Sequence, residues 1–218
     1  MRFVIAGLSN TGKYLADLLF KEGHEVVAID SNEDRCTEMA GSSDVIVING
    51  DATKTSVLEQ AGVKDAEALM ALTNDDSDNL MISMIAKEMG VKKVIAVVND
   101  ESHAEAFKEI GVRFQVKPSA VLAKHIERMI SQPYVKDFLT FERAELFEIE
   151  VEEGMKCVGK KISEMGILNG VKILFVGRGE KYLDESAEIE PEDWLTIIIN
   201  RQSSKKGIEF MNRWFAKG

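Results

Sequence analysis

Residues 3 to 12 read FVIAGLSNTG, a short apolar run followed by a loop bounded by Gly7 and Gly12. In a phosphate-cradling turn one glycine bends the chain after a strand. A second lets the backbone approach a pyrophosphate, and a third lets the next helix pack close to the strand. Gly7 and Gly12 stand at the first and third places, and Ser9 stands at the second. Ser9 adds a Cβ where phosphate would approach, but its hydroxyl is itself a phosphate donor. Leu8, Asn10 and Thr11 complete the loop, whose N–H groups would meet an anion at the positive end of a helix dipole. Roughly twenty residues on, VVAID ends a second apolar run in Asp30, followed by Ser31. A carboxylate there accepts both ribose hydroxyls of an adenosine and repels a 2′-phosphate, which disfavours NADP. Alone, such an Asp serves equally as a helix N-cap; with the loop and the spacing it predicts an adenosine site.

Two further stretches follow apolar runs, at the strand ends where open parallel sheets bind ligands. In GDAT (50–53), Asp51 and Thr53 are expected to flank the base, with Ala52 counted in the same site. In ALTNDDSDNL (71–80), Thr73 and Asn74 are expected beneath the phosphates or a far ribose, with Asp75 and Asn79 counted in the same site. Thr73, Asn74 and Asp75 also suit the mouth of a helix. Asp75, Asp76 and Asp78 lack the spacing and turn glycine of a calcium loop, so capping is the reading and no metal is expected. Lys117, counted with the site, and Lys13 are candidates to supply positive charge.

These residues must be positioned by strands expected at 3–6, 26–29, 45–48, 68–71, 94–98 and 114–116. Helical periods alternate with them at 12–21, 32–39, 76–89 and 102–110. Apolar runs buried on both faces imply a parallel sheet covered by helices: a doubly wound, Rossmann-like α/β domain over residues 1–133 with strand order 3-2-1-4-5-6. The segment 119–132 carries Val121, Leu122, Ile126, Met129 and Ile130 along one helical stripe and stops at Pro133. That face either returns to its own sheet or crosses to a neighbouring subunit. A linker is expected at 134–144, then a smaller α+β domain at 145–202, read from LFEIEV, KILFV and WLTIII. Ile208, Met211, Trp214 and Phe215 mark a terminal amphipathic helix within 203–218, read as packing on its own small domain, with a partner surface as the alternative.

The whole chain has 218 residues, 45% of them hydrophobic, enough for a real core. Its net charge of −10 argues against nucleic acid and anionic lipid as partners. Met1 runs straight into a strand pattern without a signal peptide, and no apolar run is long enough to span a membrane, so a soluble cytosolic chain is expected. Cys36 and Cys157 lack any C-x-x-C partner and read as buried thiols. The three histidines, His24, His103 and His125, have no recognisable catalytic partner, and no nucleophile elbow, zincin or Walker motif appears. The expectation is a sensor and no enzyme, with no catalytic residue.

The order of GLSNTG, VVAID, INGDAT, ALTNDDSDNL and KEIGVRFQVKPS, followed by a small C-terminal module, resembles the RCK family (regulators of potassium conductance) of the TrkA/KtrA type. LFEIEVEEGMKCVGKKISEM and PEDWLTIII resemble the family's second domain, whose usual P-G-D-x-L turn stands here as Pro191-Glu192-Asp193-Trp194-Leu195. The resemblance implies a cytosolic gating subunit, peripheral to the membrane through its partner. That partner is a potassium channel or transporter, under which dimers assemble into a ring switched by an adenine nucleotide. The family loop is usually G-x-G-R-x-G; here its middle positions are Ser9 and Asn10. Loss of that arginine favours AMP, ADP or NAD(H) over ATP. The alternatives are a small dinucleotide-dependent reductase and an RCK-type sensor serving a different transporter. Cys157, Ile173 and Ile197 either line an effector pocket between paired second domains or simply pack its core.

Overall fold

The computed structural model describes residues 1–166, 168–184 and 186–217. They form two compact units, Met1–Val121 and Leu122–Gly218. In the first, six parallel strands run β1 Arg2–Ala6, β2 Glu25–Asp30, β3 Ile46–Asn49, β4 Ala68–Ala71, β5 Lys93–Val97 and β6 Phe114–Val116. Their order is β3-β2-β1-β4-β5-β6, as expected from right-handed crossovers. Five helices connect them: α1 Asn10–Lys21, α2 Glu33–Ser42, α3 Thr55–Gln60, α4 Asp76–Glu88 and α5 Ala104–Glu109. The expected helix at 102–110 is a 3-10 turn, Glu101–His103, leading into α5. The short α3 was not expected, since six residues give too little periodic signal.

Strand alternation divides the interior in two. Val4, Ala6, Leu69 and Ala71 pack with Leu58, Ile82 and Phe107, from α3, α4 and α5. Ile5, Ala28 and Met70 pack on the opposite face with Ala16, Cys36 and Met39, from α1 and α2. Both faces are dry, so β1 and β4 read as continuous apolar runs. The connections change face between β1 and β4, and a crevice opens at that switch.

The second unit holds most of α6 Pro118–Ser131, then β7 Val135–Thr140, β8 Ala144–Glu150, β9 Val171–Arg178, β10 Lys181–Tyr182, β11 Trp194–Asn200 and α7 Ser204–Phe215. The sheet is antiparallel, in the order β10-β9-β11-β8-β7. The stretch expected as a linker is therefore mostly strand. Its register slips between Val135 and Asp137, which breaks the period-2 pattern that marks a strand in sequence. Phe210, Met211 and Phe215 of α7 share one core with Phe147, Ile149, Leu195 and Ile197, so the terminal helix packs on its own domain. Gly207 permits the approach: a Cβ there would lie 2.4 Å from Ile199. Cys157 and Ile197 lie in the same core, and burial pushes the Cys157 thiol up to about 11. The turn at 191–195 is fastened by buried Asp193, which accepts hydrogen bonds from Arg178 Nε (2.7 Å) and Nη2 (3.0 Å) and from the Glu190 N–H (2.8 Å).

α6 inverts the usual polarity of a helix. Val121, Leu122, Ile126, Met129 and Ile130 are exposed, while Arg128 is buried. Its Nη2 donates to Glu145 Oε2 at 2.8 Å, and Lys124 Nζ donates to Oε1 of the same carboxylate at 2.9 Å. Glu145 is itself 4% exposed; burial opposes its charge, but the two cations outweigh that and hold its carboxyl below the usual range. Twelve of the residues expected in the first domain, 122–133, thus belong to the second compact unit. Replacing Glu145 by Gln strands the Arg128 charge, and denaturant unfolding is expected to lose about 3 kcal/mol. A loss near zero would show that water reaches this pair.

Candidate nucleotide-binding site

The carboxyl ends of β1, β2, β3 and β4 surround a cleft of about 210 Å³. Two glycines let the loop after β1 close over it. Gly7 has φ +108°, and a Cβ there would lie 2.7 Å from the Leu72 carbonyl oxygen. A Cβ on Gly12 would lie 1.9 Å from the Gly7 carbonyl oxygen. Both positions need glycine because backbone meets backbone, which is what the spacing of the motif encodes.

Ser9 is the N-cap of α1, yet its hydroxyl makes no capping bond, and the first turn contains no acid. The contrast with its neighbours is direct. Asn32 caps α2 through the Arg35 N–H, and Asp75 caps α4 through the N–H groups of Ser77 and Asp78. Both of those helices carry acids in their first turn, so their positive ends are already answered. The mouth of α1 is left for an outside acceptor.

Asp30, 7% exposed, ties the loop to β2. Its Oδ2 accepts the Leu8 N–H at 2.6 Å, and its Oδ1 accepts the Asn32 N–H at 2.8 Å. A carboxylate offers about four acceptor positions, so these two bonds leave capacity for a hydroxyl. On the far wall, Asp51 accepts both the N–H (2.9 Å) and the hydroxyl (2.6 Å) of Thr53, which hold its carboxyl below the usual range. Burial, followed by repulsion from Asp75 and Asp51, pushes Asp78 the other way.

Most of the expected residues meet here. Gly7, Ser9, Asp30, Ser31, Asp51 and Ala52 line the cleft, as do Thr53, Thr73, Asn74 and Asp75. Leu8, Asn10 and Thr11, with Ser9 and Lys13, line an adjoining hollow of about 370 Å³ at the mouth of α1. Three others take different places. Gly12 is buried beneath the loop. Asn79 is fully buried behind the cleft: its Oδ1 accepts the Thr73 N–H at 2.9 Å, and its amide donates to the Thr73 and Val97 carbonyls at 3.0 and 3.1 Å. It is a buttress for the β4–α4 loop. Lys117 follows β6, two strands from the switch point, pairs with Glu101 at 2.5 Å and lines neither hollow. Lys13 reaches the hollow but is paired with Glu38.

The cation that lines both hollows was not expected from sequence: Arg35, in the first turn of α2. A signal existed. Helix dipoles disfavour cations at that end, so an Arg five residues after Asp30 asks for another reason. Among the described residues, no group of three or more His, Cys, Asp and Glu side chains is arranged to hold a metal ion.

Residues 3–118 match the family model described as the TrkA-N domain. The chain belongs to the TrkA-N family. A relative from Methanothermobacter thermautotrophicus, a Trk system potassium uptake protein TrkA homolog, is 33% identical over 76% of this chain and 77% of its own length. Others are longer: the chain spans about half (48%) of homolog 1 from Methanosarcina mazei, at 30% identity over 95% of this chain. Among solved structures, the GsuK channel bound to NAD superposes with a TM-score of 0.68 at 18% identity, covering 100% of this chain and 40% of that one. That likeness is one of fold. Within the TrkA-N domain, Gly7, Gly12 and Asp30, the acid that ends β2, have the spacing of the first and third glycines and the acid of a dinucleotide fingerprint.

The domain also contains a proton-sensitive brace beside the cleft. Asp76 accepts the N–H groups of Asn99 (2.8 Å) and Asp100 (2.9 Å) and meets His103 Nδ1 at 2.9 Å. Burial opposes the Asp76 charge, but these bonds hold its carboxyl below the usual range. The Asp76 contact, helped by Asp100 and Asp75, raises His103. The raised His103 stabilises the fold fully below its unfolded pKa of about 6.5, and the contribution fades as pH rises through the higher folded value. Thermal unfolding between about pH 6 and 8.5 should therefore fall more steeply for the native protein than for His103→Gln. Parallel curves would remove the brace from the account.

Proposed function

We propose that this chain is a nucleotide-sensing gating subunit of a potassium channel or transporter. The observation that carries this reading is the pairing of a fixed Asp30 carboxylate with an unanswered α1 mouth across one cleft. That pairing suits the ribose and the phosphate of an adenine nucleotide. AMP, ADP and NAD(H) are favoured over ATP, because Asn10 replaces the loop arginine and Asp51, Asp75 and Asp78 crowd the wall with negative charge. The potassium uptake relatives supply the transport assignment, and the GsuK channel bound to NAD supplies a parallel for the ligand.

Sensing is favoured over catalysis by the chemistry of the lining. It offers carboxylates, hydroxyls, an amide and a guanidinium, and no histidine or cysteine among the described residues. No described helix is long and apolar enough to cross a membrane; the gate on which this chain acts is proposed to lie in a membrane-embedded partner. The chain acts as a cytoplasmic subunit held at the membrane by that partner. The exposed apolar face of α6 is the dimer contact, and dimers build the ring. Nucleotide binding biases one arrangement of the paired domains, at about 1–3 kcal/mol of coupling per site.

Calorimetric titration with AMP, ADP, ATP, NAD and NADH tests the ligand. Binding is expected with at least one of them and is expected to weaken tenfold or more in Asp30→Ala; no heat and no thermal shift with any would end the proposal. Light scattering tests the assembly. The native chain should elute as a dimer or larger, and Ile126→Asp with Ile130→Asp should yield a monomer of unchanged thermal stability, since both side chains are exposed. A monomeric native chain would take away the lever.

A further inference from the structure

Arg35 is the cation common to the adenosine cleft and the hollow at the mouth of α1. It is the third residue of α2, where the helix dipole opposes its charge, beside Glu33 and Asp34, which the dipole favours. Helix stability does not account for it. Nor does its partner hold it firmly: Arg35 Nη1 lies 3.5 Å from Asp30 Oδ2, and its side chain is 43% exposed. The same Asp30 oxygen is already committed to the Leu8 N–H at 2.6 Å. The other cation in the hollow, Lys13, is closely paired with Glu38. Facing these groups are the carboxylates of Asp30, Asp51, Asp75 and Asp78. A phosphate entering this cleft needs a cation to offset four acids, and the loosely held guanidinium is the one within reach of both halves.

We propose that Arg35 is the charge-selecting residue of the site: it leaves Asp30 and pairs with the phosphate next to the ribose, while Asp30 turns its released capacity to the ribose hydroxyls. This rests on the nucleotide reading above and adds to it the group that takes the place of the missing loop arginine. Its planar fork presents paired N–H donors to two phosphate oxygens, a geometry that an ammonium does not reproduce. The ligand class it selects is an adenosine bearing at least one phosphate, free or within a dinucleotide.

The test compares adenosine, AMP, ADP and NAD by calorimetry on the native chain, Arg35→Gln and Arg35→Lys, with Asp30→Ala alongside. Arg35→Gln is expected to leave adenosine within about twofold while weakening AMP, ADP and NAD about tenfold or more. Its AMP affinity should also lose part of its dependence on salt, and Arg35→Lys should recover only part of the affinity. Asp30→Ala should instead weaken adenosine and AMP alike. If Arg35→Gln weakens AMP no more than adenosine, while the native chain binds both, the inference is overturned and the nucleotide reading stands. If the native chain binds none of the four, both fall. An unchanged thermal midpoint for Arg35→Gln excludes misfolding as the cause of loss.

Discussion

The hydrogen bond from the Leu8 N–H to Asp30 Oδ2 joins the two pieces of the site that sequence places 22 residues apart. It closes the turn after β1 onto the end of β2, and both ends of the bond are buried. The loop lies close enough for this bond because Gly7 and Gly12 have no Cβ to collide with neighbouring backbone. With the turn so fixed, α1 points its unanswered N–H groups toward the crevice. The crevice itself follows from topology, since connections leaving β1 and β4 go to opposite faces of the sheet.

Around that fixed centre the supporting shell divides into groups that touch the cleft and groups that hold those groups. Thr73 belongs to the first set and Asn79 to the second, for every polar atom of the buried amide is spent on Thr73 and Val97. Asp75 spends its carboxylate on capping α4, and Asp76 on bracing the loop that follows β5. Acids are thus consumed by structure along one wall. Cations are few, and Arg35 stands free enough to change partner.

The second unit solves a different problem. Its antiparallel sheet packs α7 against one face, and the Arg128–Glu145–Lys124 cluster pins α6 by its polar side. The apolar stripe of α6 is consequently turned outward, an arrangement that a lone helix on a lone domain would not favour. Ion pairing inside and hydrophobic surface outside make sense together when a second surface covers the stripe.

Much of this was legible in the sequence. Apolar runs alternating with helical periods fixed the six parallel strands and their order, because double burial and right-handed crossovers leave few choices. Gly7 and Gly12 were readable as the close backbone approaches of the turn after β1, and Asp30 as the acid beside it, because contact of backbone with backbone admits only glycine. Tertiary structure alone decided the rest. Whether Asn79 faces ligand or loop, and whether Lys117 reaches the cleft, depends on distances across the sheet that spacing along the chain does not encode. The strand at 135–140 was hidden by a register slip. The polarity of α6 was hidden too, since a stripe of apolar residues reads the same whether it faces a core or, as here, leaves the core to a buried arginine whose partner lies 17 residues away.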